Sequence, residues 1–448
     1  LFSLNFASVT AIAEMGTAGG VGVILAWILS LVILPIMLTF SPESTLGAVP
    51  DSEEDRIDRF IRWCVSWSAP QDGHNRYRGV LIGTGILAVV LIFGVTQVRV
   101  FHDDLDMVPD DLPVKIAVKK LDENVGGVAT AELVITPTSG TLKDVKIIEG
   151  LDRVIADVLA YEEPGTGQKL VTHGISIVDI TKETRRALRG GKQSAYSVPT
   201  TQEETQDLLF LFESQSPSDL RKLVTVDWSK THITFRARWR ESTVFTDLIA
   251  HIEASIERHL GGKVRAAGTG PVYVGERLIS VMLSDLSISF ATAFLFVTIF
   301  MIIMLGELKL GLIAMLPNLF PIVAVMGFIG LTGIPLDLNT LLIASIALGI
   351  AVDDTVHFLH HFQVAYRETN ECEAAIRSAT HHAGRAMVAT STLLTVGFLI
   401  YCLGSNAAIY RFGLLTALTV IAAVLTDLIV LPAFLRLLYP RQKEAREV

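Results

Sequence analysis

The strongest constraint on this chain is a series of apolar blocks, each long enough to cross the ~30 Å hydrocarbon layer of a bilayer, which takes about 20 helical residues. Seven complete spans can be read, near residues 15–40, 79–97, 286–306, 310–332, 340–361, 386–404 and 410–438. A polytopic helical membrane protein is therefore expected. Composition agrees, because 50% of the residues are apolar, mean hydropathy is +0.49, and only 19% are charged, against roughly 25% in soluble domains.

The apolar start at residues 1–6, with the loop-like stretch 7–14 after it, reads as the last turns of an eighth span. The chain is thus expected to begin in mid-fold. No basic n-region or small-residue cleavage site precedes the first block, so targeting is assigned to the spans themselves. Lys and Arg in the short loops set the orientation. The segments 41–78, 307–309, 367–385 and 441–448 fall on one side, taken as cytoplasmic, and the opposite side receives the polar block 98–285 plus tight turns at 333–339 and 404–409.

The net charge of −9 and the lack of a basic face interleaved with aromatics argue against nucleic acid as a partner. Cys64 and Cys372 fall on the inner side and Cys402 in a span, so the outer block holds no Cys. A domain of that size can fold without disulfides.

The outer block alternates strand-like and helix-like stretches. Residues 129–137 (ATAELVITP) alternate as a half-buried strand does, 142–161 carry helical spacing, and 170–180 are β-rich. After a polar helical insertion at 200–223, residues 223–239 hold two strand-like runs, 243–260 are helical and 263–268 form a short strand. Two such sets suggest a split β-α-β, ferredoxin-like sheet. In the linker, Ile57, Phe60, Ile61, Cys64 and Val65 share one face of an amphipathic stretch, suited to the inner membrane surface or to packing on another helix.

An internal repeat supplies the architecture. Residues 16–38 lie over 413–435 without a gap, pairing Gly16 with Gly413, Ala26 with Ala423, Leu34 and Pro35 with Leu431 and Pro432, and Leu38 with Leu435; Ser8 and Ser405 are also in register. The chain reads as the end of one repeat followed by a whole second one: a span, a large outer domain and five more spans.

That plan, duplicated, is the plan of the RND superfamily. The run Gly349-Ile350-Ala351-Val352-Asp353-Asp354-Thr355-Val356-His357-Phe358 resembles the fourth-span signature of its MMPL and predicted-exporter branch, which is related to Patched and sterol-sensing proteins. Residues 316–322 (LPNLFPI), Thr390-Ser391-Thr392 and Gly397-Phe398 are similar to the same pattern. The resemblance implies a polytopic α-helical membrane protein with an inserted extracytoplasmic α/β, ferredoxin-like domain and an RND-type repeat. Its parts are 1–40, the end of the first repeat with spans 5 and 6; 41–78, a cytoplasmic linker; 79–97, the first span of the second repeat; 98–285, a periplasmic porter-like domain; 286–438, a five-span bundle; and 439–448, a cytoplasmic tail. It further implies a bacterial inner-membrane exporter rather than an enzyme, with no cofactor, driven by the proton-motive force and moving lipids or other hydrophobic or amphiphilic cargo. The absent N-terminal half, an oligomer and membrane lipids are its implied partners.

The chemistry stands without the family. A carboxylate near the middle of a spanning helix costs ~2.5–3.5 kcal/mol even on the lenient insertion scale, and this helix carries Asp353 and Asp354 in succession. Ser345, Gly349, Asp353 and His357 follow at i, i+4 spacing and form one small or polar stripe. Gly349 and Ser345 are read as helix-packing positions, and Asp353, Asp354, His357, Asp427 and Thr392 as a proton relay. Asp427 has a second reading, as a hydrated group near the inner surface, and any single Ser or Thr can instead back-bond to its own helix. Asn318, between Pro317 and Pro321, reads as a group that satisfies a kink.

Two other classes compete. His357-Phe358-Leu359-His360-His361, with His381-His382 further on, has the style of membrane di-iron oxygenases, although such enzymes need several boxes of this kind. A non-transporting, Patched-like sterol receptor fits the same plan.

Overall fold

The computed structural model describes residues 2–40, 56–68, 76–99 and 105–439. The 440–448 tail and the 41–55 and 69–75 parts of the linker lie outside the described residues. The chain separates into two compact units, Leu1–Val100 with Val281–Val448, and Phe101–Ser280. In chain order the first unit opens with a 3-10 turn (Phe2–Phe6), where the remnant of an eighth span was expected, and continues with α1 (Thr10–Thr39), α2 (Arg56–Ser68) and α3 (Arg76–Val95).

The second unit holds α4 (Pro113–Val125), β1 (Ala129–Pro137), α5 (Val145–Leu159), β2 (Val171–Ile175), α6 (Ile177–Leu188), α7 (Gln202–Gln215), β3 (Thr231–Ala237), α8 (Ser242–Leu260) and β4 (Val264–Thr269). The sheet order is β2-β3-β1-β4, antiparallel throughout. Period-two alternation builds its inner face: Ala131, Leu133 and Ile135 of β1 stand opposite Phe235, Ile233 and Thr231 of β3, and all six are buried. Onto that face α5 lays Ile148, Leu151 and Val154, and α8 lays Leu248 and Ile252, each fully buried aliphatic side chain contributing roughly 1.5–3 kcal/mol. The Asp144 carboxylate caps α5 by accepting the Lys146 N–H at 2.8 Å. The β-rich stretch expected at 170–180 ends early, because Ser176 and Asp179 form a capping box that starts α6.

The remaining helices are α9 (Gly270–Leu305), α10 (Leu308–Thr332), α11 (Leu338–Thr369), α12 (Cys372–Ile400), α13 (Ala407–Leu425), a π-helical turn (Thr426–Val430) and α14 (Leu431–Leu438). Among the described residues, seven helices are long and apolar enough to cross a membrane: α1, α3, α9, α10, α11, α12 and the continuous run Ala407–Leu438. This is a multi-pass membrane protein. The observed helices overrun the expected apolar spans, since polar ends such as residues 362–369 of α11 continue the same helix beyond the apolar stretch.

Three features tie the bundle together. Gly94 of α3 lies against Gly327 and Gly330 of α10 so closely that a Cβ at Gly330 would strike the Gly94 carbonyl oxygen, a small-residue crossing of the kind membrane helices use. Arg436 of α14, its side chain 8% exposed, pairs with Glu373 of α12 and covers the Tyr77 ring at 4.9 Å. Helix α2 buries Ile61, Cys64 and Ser68, with Ile61 3.6 Å from where a Cβ on Gly384 of α12 would lie and Asp58 facing Arg385 at 3.6 Å. It packs on the bundle through Ile61 and Cys64, while Phe60, grouped with them in the sequence, is turned outward with Trp63 and Trp67.

Candidate functional site

Helix α11 carries the site. Its start is fixed by a capping box, in which Asp337 accepts the Thr340 N–H and Thr340 Oγ1 accepts the Asp337 N–H, both at 2.8 Å, and it ends on Asn370 in the left-handed region at φ 53°. With both ends set, the ~100° step per residue of an α-helix sends neighbouring side chains to different faces. Asp354 is 8% exposed and Thr355 is fully buried. Asp353 and His357, in contrast, are 78% and 66% exposed at the side chain, with His357 Nε2 3.7 Å from Asp353 Oδ1.

The inward face is a polar cluster inside the bundle. Ser391 Oγ of α12 donates to Asp354 Oδ2 at 3.2 Å. Thr355 Oγ1 lies 2.7 Å from Asp427 Oδ1 and 2.7 Å from Asn318 Oδ1 of α10. The Asn318 amide nitrogen donates to its own helix at Ala314 O, 3.0 Å away. Asp427 is 2% exposed and Asn318 fully buried. Asp427 sits in the π-helical turn just ahead of Pro432, where a proline cannot continue the i to i−4 ladder; such turns recur at functional sites.

The other sequence candidates lie elsewhere. Thr392 is exposed and its hydroxyl donates to Val388 O of its own helix at 2.7 Å. Gly349 is exposed, and a Cβ there would meet nothing within 4 Å among the described residues. Ser345 is half-buried. The hydrated reading of Asp427 does not hold in this structure, since the residue is enclosed. Asn318 does more than satisfy a kink, since its carbonyl faces Thr355. Ser391, and not Thr392, joins the cluster; the signal was the inward stripe Ala383, Met387, Ser391 at i, i+4 spacing.

The histidines gather where the C-terminal part of α11 meets the N-terminal part of α12. His361 and His382 stack with ring centroids 5.4 Å apart and planes 16° from parallel, flanked by His360 at 5.8 Å and His381 at 5.4 Å. Among the described residues, no three His, Cys, Asp or Glu side chains converge as metal ligands. In the unit Phe101–Ser280, a 420 Å³ cavity is lined by Asp106, Asp110, Lys115, Lys119, Trp239 and Arg240, a charged surface unlike an apolar cargo chamber.

Comparison with known proteins fits this bundle. The Patched family, described as the Patched sterol-sensing domain, matches residues 279–437, which take in α10 to α14 and every member of the inward cluster. The bundle is similar to the Patched sterol-sensing domain over this stretch. A membrane protein of Methanocaldococcus jannaschii is 25% identical over 361 residues, covering 78% of this chain and 88% of its own length. The Patched relationship is the one implied by the run from Gly349 to Phe358 and by the order of spans.

Proposed function

We propose that this chain belongs to a proton-motive-force-driven transporter of the RND type, exporting lipids or other hydrophobic or amphiphilic molecules across a bacterial inner membrane. The outer unit is a periplasmic, ferredoxin-like porter domain in this reading, supported by the strand order β2-β3-β1-β4, which a split β-α-β arrangement produces. The observation that carries the proposal is the inward cluster. Two carboxyl groups, Asp354 and Asp427, are enclosed in a membrane bundle among hydroxyls and an amide. Carboxyls kept in such a place at a cost of several kcal/mol mark ion or proton pathways. Each proton crossing is worth ~2.3 kcal/mol per 100 mV, enough to bias a bundle with two arrangements a few kcal/mol apart.

The outward stripe of Gly349, Asp353 and His357 belongs to the same machine. A carboxylate cannot face hydrocarbon cheaply, so this face packs on another transmembrane repeat, either the first half of the same protein or a second copy of the chain. The Patched sterol-sensing match also favours a second reading, a receptor that binds a sterol or similar lipid without moving it. Purified protein reconstituted in vesicles separates the two. A transporter moves co-purifying lipid faster when a pH gradient is imposed and stops when an uncoupler is added; a receptor binds the lipid with no gradient-dependent movement.

A further inference from the structure

Thr355 is surrounded by more acceptors than it can serve. Its Oγ1 is 2.7 Å from Asp427 Oδ1, 2.7 Å from Asn318 Oδ1 and 3.1 Å from Ala351 O. A hydroxyl brings one hydrogen, and two oxygen–oxygen contacts this short each need their own. Asn318 cannot supply the second, because its amide nitrogen is turned to Ala314 O at 3.0 Å; flipping the amide would set its oxygen against that carbonyl. The only group of this set able to carry an additional hydrogen is the Asp427 carboxyl.

We propose that Asp427 holds a proton in this conformation, with the acid O–H donating to Thr355 Oγ1 and the Thr355 hydroxyl donating to Asn318 Oδ1. The chain of donors links three segments: the π-helical turn, α11 and α10. It makes Thr355 and Asn318 positioning residues for a stored proton. Asp427 Oδ2 has no hydrogen-bond partner among the described residues, which suits the C=O oxygen of an un-ionised acid better than an oxygen of a carboxylate. Several elements pack around this turn. Asp354 of α11 acts on Asp427 through space, Cys64 of α2 lies in the same core, Tyr77 of α3 lies under the Arg436 guanidinium, and Arg436 of α14 is paired with Glu373 of α12. When the proton leaves to solvent, the Thr355 hydrogen turns to the new carboxylate and Asn318 Oδ1 loses its donor. Loading and release therefore change a contact between α10 and α11.

The use of this proton in transport rests on the function proposed above; its presence does not. Infrared difference spectroscopy of the full chain in lipid, with isotope-labelled aspartate, reads it directly. At neutral pH the wild type is expected to show a carboxylic-acid carbonyl band that is lost in Asp427→Asn and retained in Asp353→Asn and Asp354→Asn. Thr355→Val should shift the same band, since the acid loses its acceptor, and this arm decides the matter if Asp427→Asn fails to fold. No acid band in the wild type, a band unchanged in Asp427→Asn, or one unmoved in Thr355→Val overturns the assignment. A band that behaves as expected in a protein whose transport ignores the pH gradient leaves the stored proton standing and removes only the proton-driven reading.

Discussion

The two faces of α11 differ in a way that one residue of sequence conceals. Asp354 and Thr355 point into the bundle and find Ser391, Asn318 and Asp427, so the inward face is complete within this chain. Asp353 and His357 point out beside Gly349, where an added Cβ would meet nothing within 4 Å among the described residues, so in the proposed transporter the outward face is half of an interface. Adjacent carboxyl groups thus occupy two different surroundings, one enclosed by its own bundle and one exposed on it.

Substitutions can break this contrast. Thr355→Val strands a buried donor, the Asp427 acid, and a buried acceptor, Asn318 Oδ1, and should destabilise the bundle by about 1–3 kcal/mol, measured by reversible unfolding in bicelles; a change near zero would mean that the inward cluster is not a structural unit. Ser391→Ala removes one interhelical hydrogen bond to Asp354 and should cost ~0.6 kcal/mol, the average for such bonds in membranes. Asp353→Asn and Thr392→Val should leave stability of the isolated chain within about 0.5 kcal/mol. Gly349→Ala should be equally silent in the isolated chain and weaken assembly once the covering repeat is present, as read by pull-down between differently tagged copies or halves. The smallest effect concerns Cys64 on α2, whose thiol burial pushes up to about 11. Because the thiolate is the reactive form, maleimide should leave Cys64 unlabelled at neutral pH and reach it only as pH rises toward 11 or as the chain unfolds.

Much of this was legible in the sequence. Span length alone located all seven membrane helices, and period-two alternation located β1 in the outer unit. The carboxylate in a span marked α11 and Asp427. Which of two adjacent aspartates faces inward was not legible, since that depends on the rotation of α11, set by the cap at Asp337 and by packing on α10, α12 and α13. Thr355 was overlooked beside its acidic neighbours, and Thr392 was preferred to Ser391 because a span rich in hydroxyls gives no rotation by itself. The repeat sharpens the same point. In the gapless alignment Asp427 falls on Ser30 of α1, whose hydroxyl only bonds back to Ala26 O at 2.8 Å. Pro35 sits inside a continuous α1, whereas Pro432 follows a π-helical turn. The matching residues therefore did not predict that, of the two segments, the one that carries the acid has a π-helical turn there.

The most direct test of the central claim is lipid movement in vesicles under an imposed pH gradient, comparing the assembled wild-type transporter with Asp353→Asn and Asp354→Asn. The account predicts that both variants fold and insert, that the wild type moves lipid in proportion to the gradient, and that neither variant responds to it. Gradient-driven movement at the wild-type rate in both variants would contradict it.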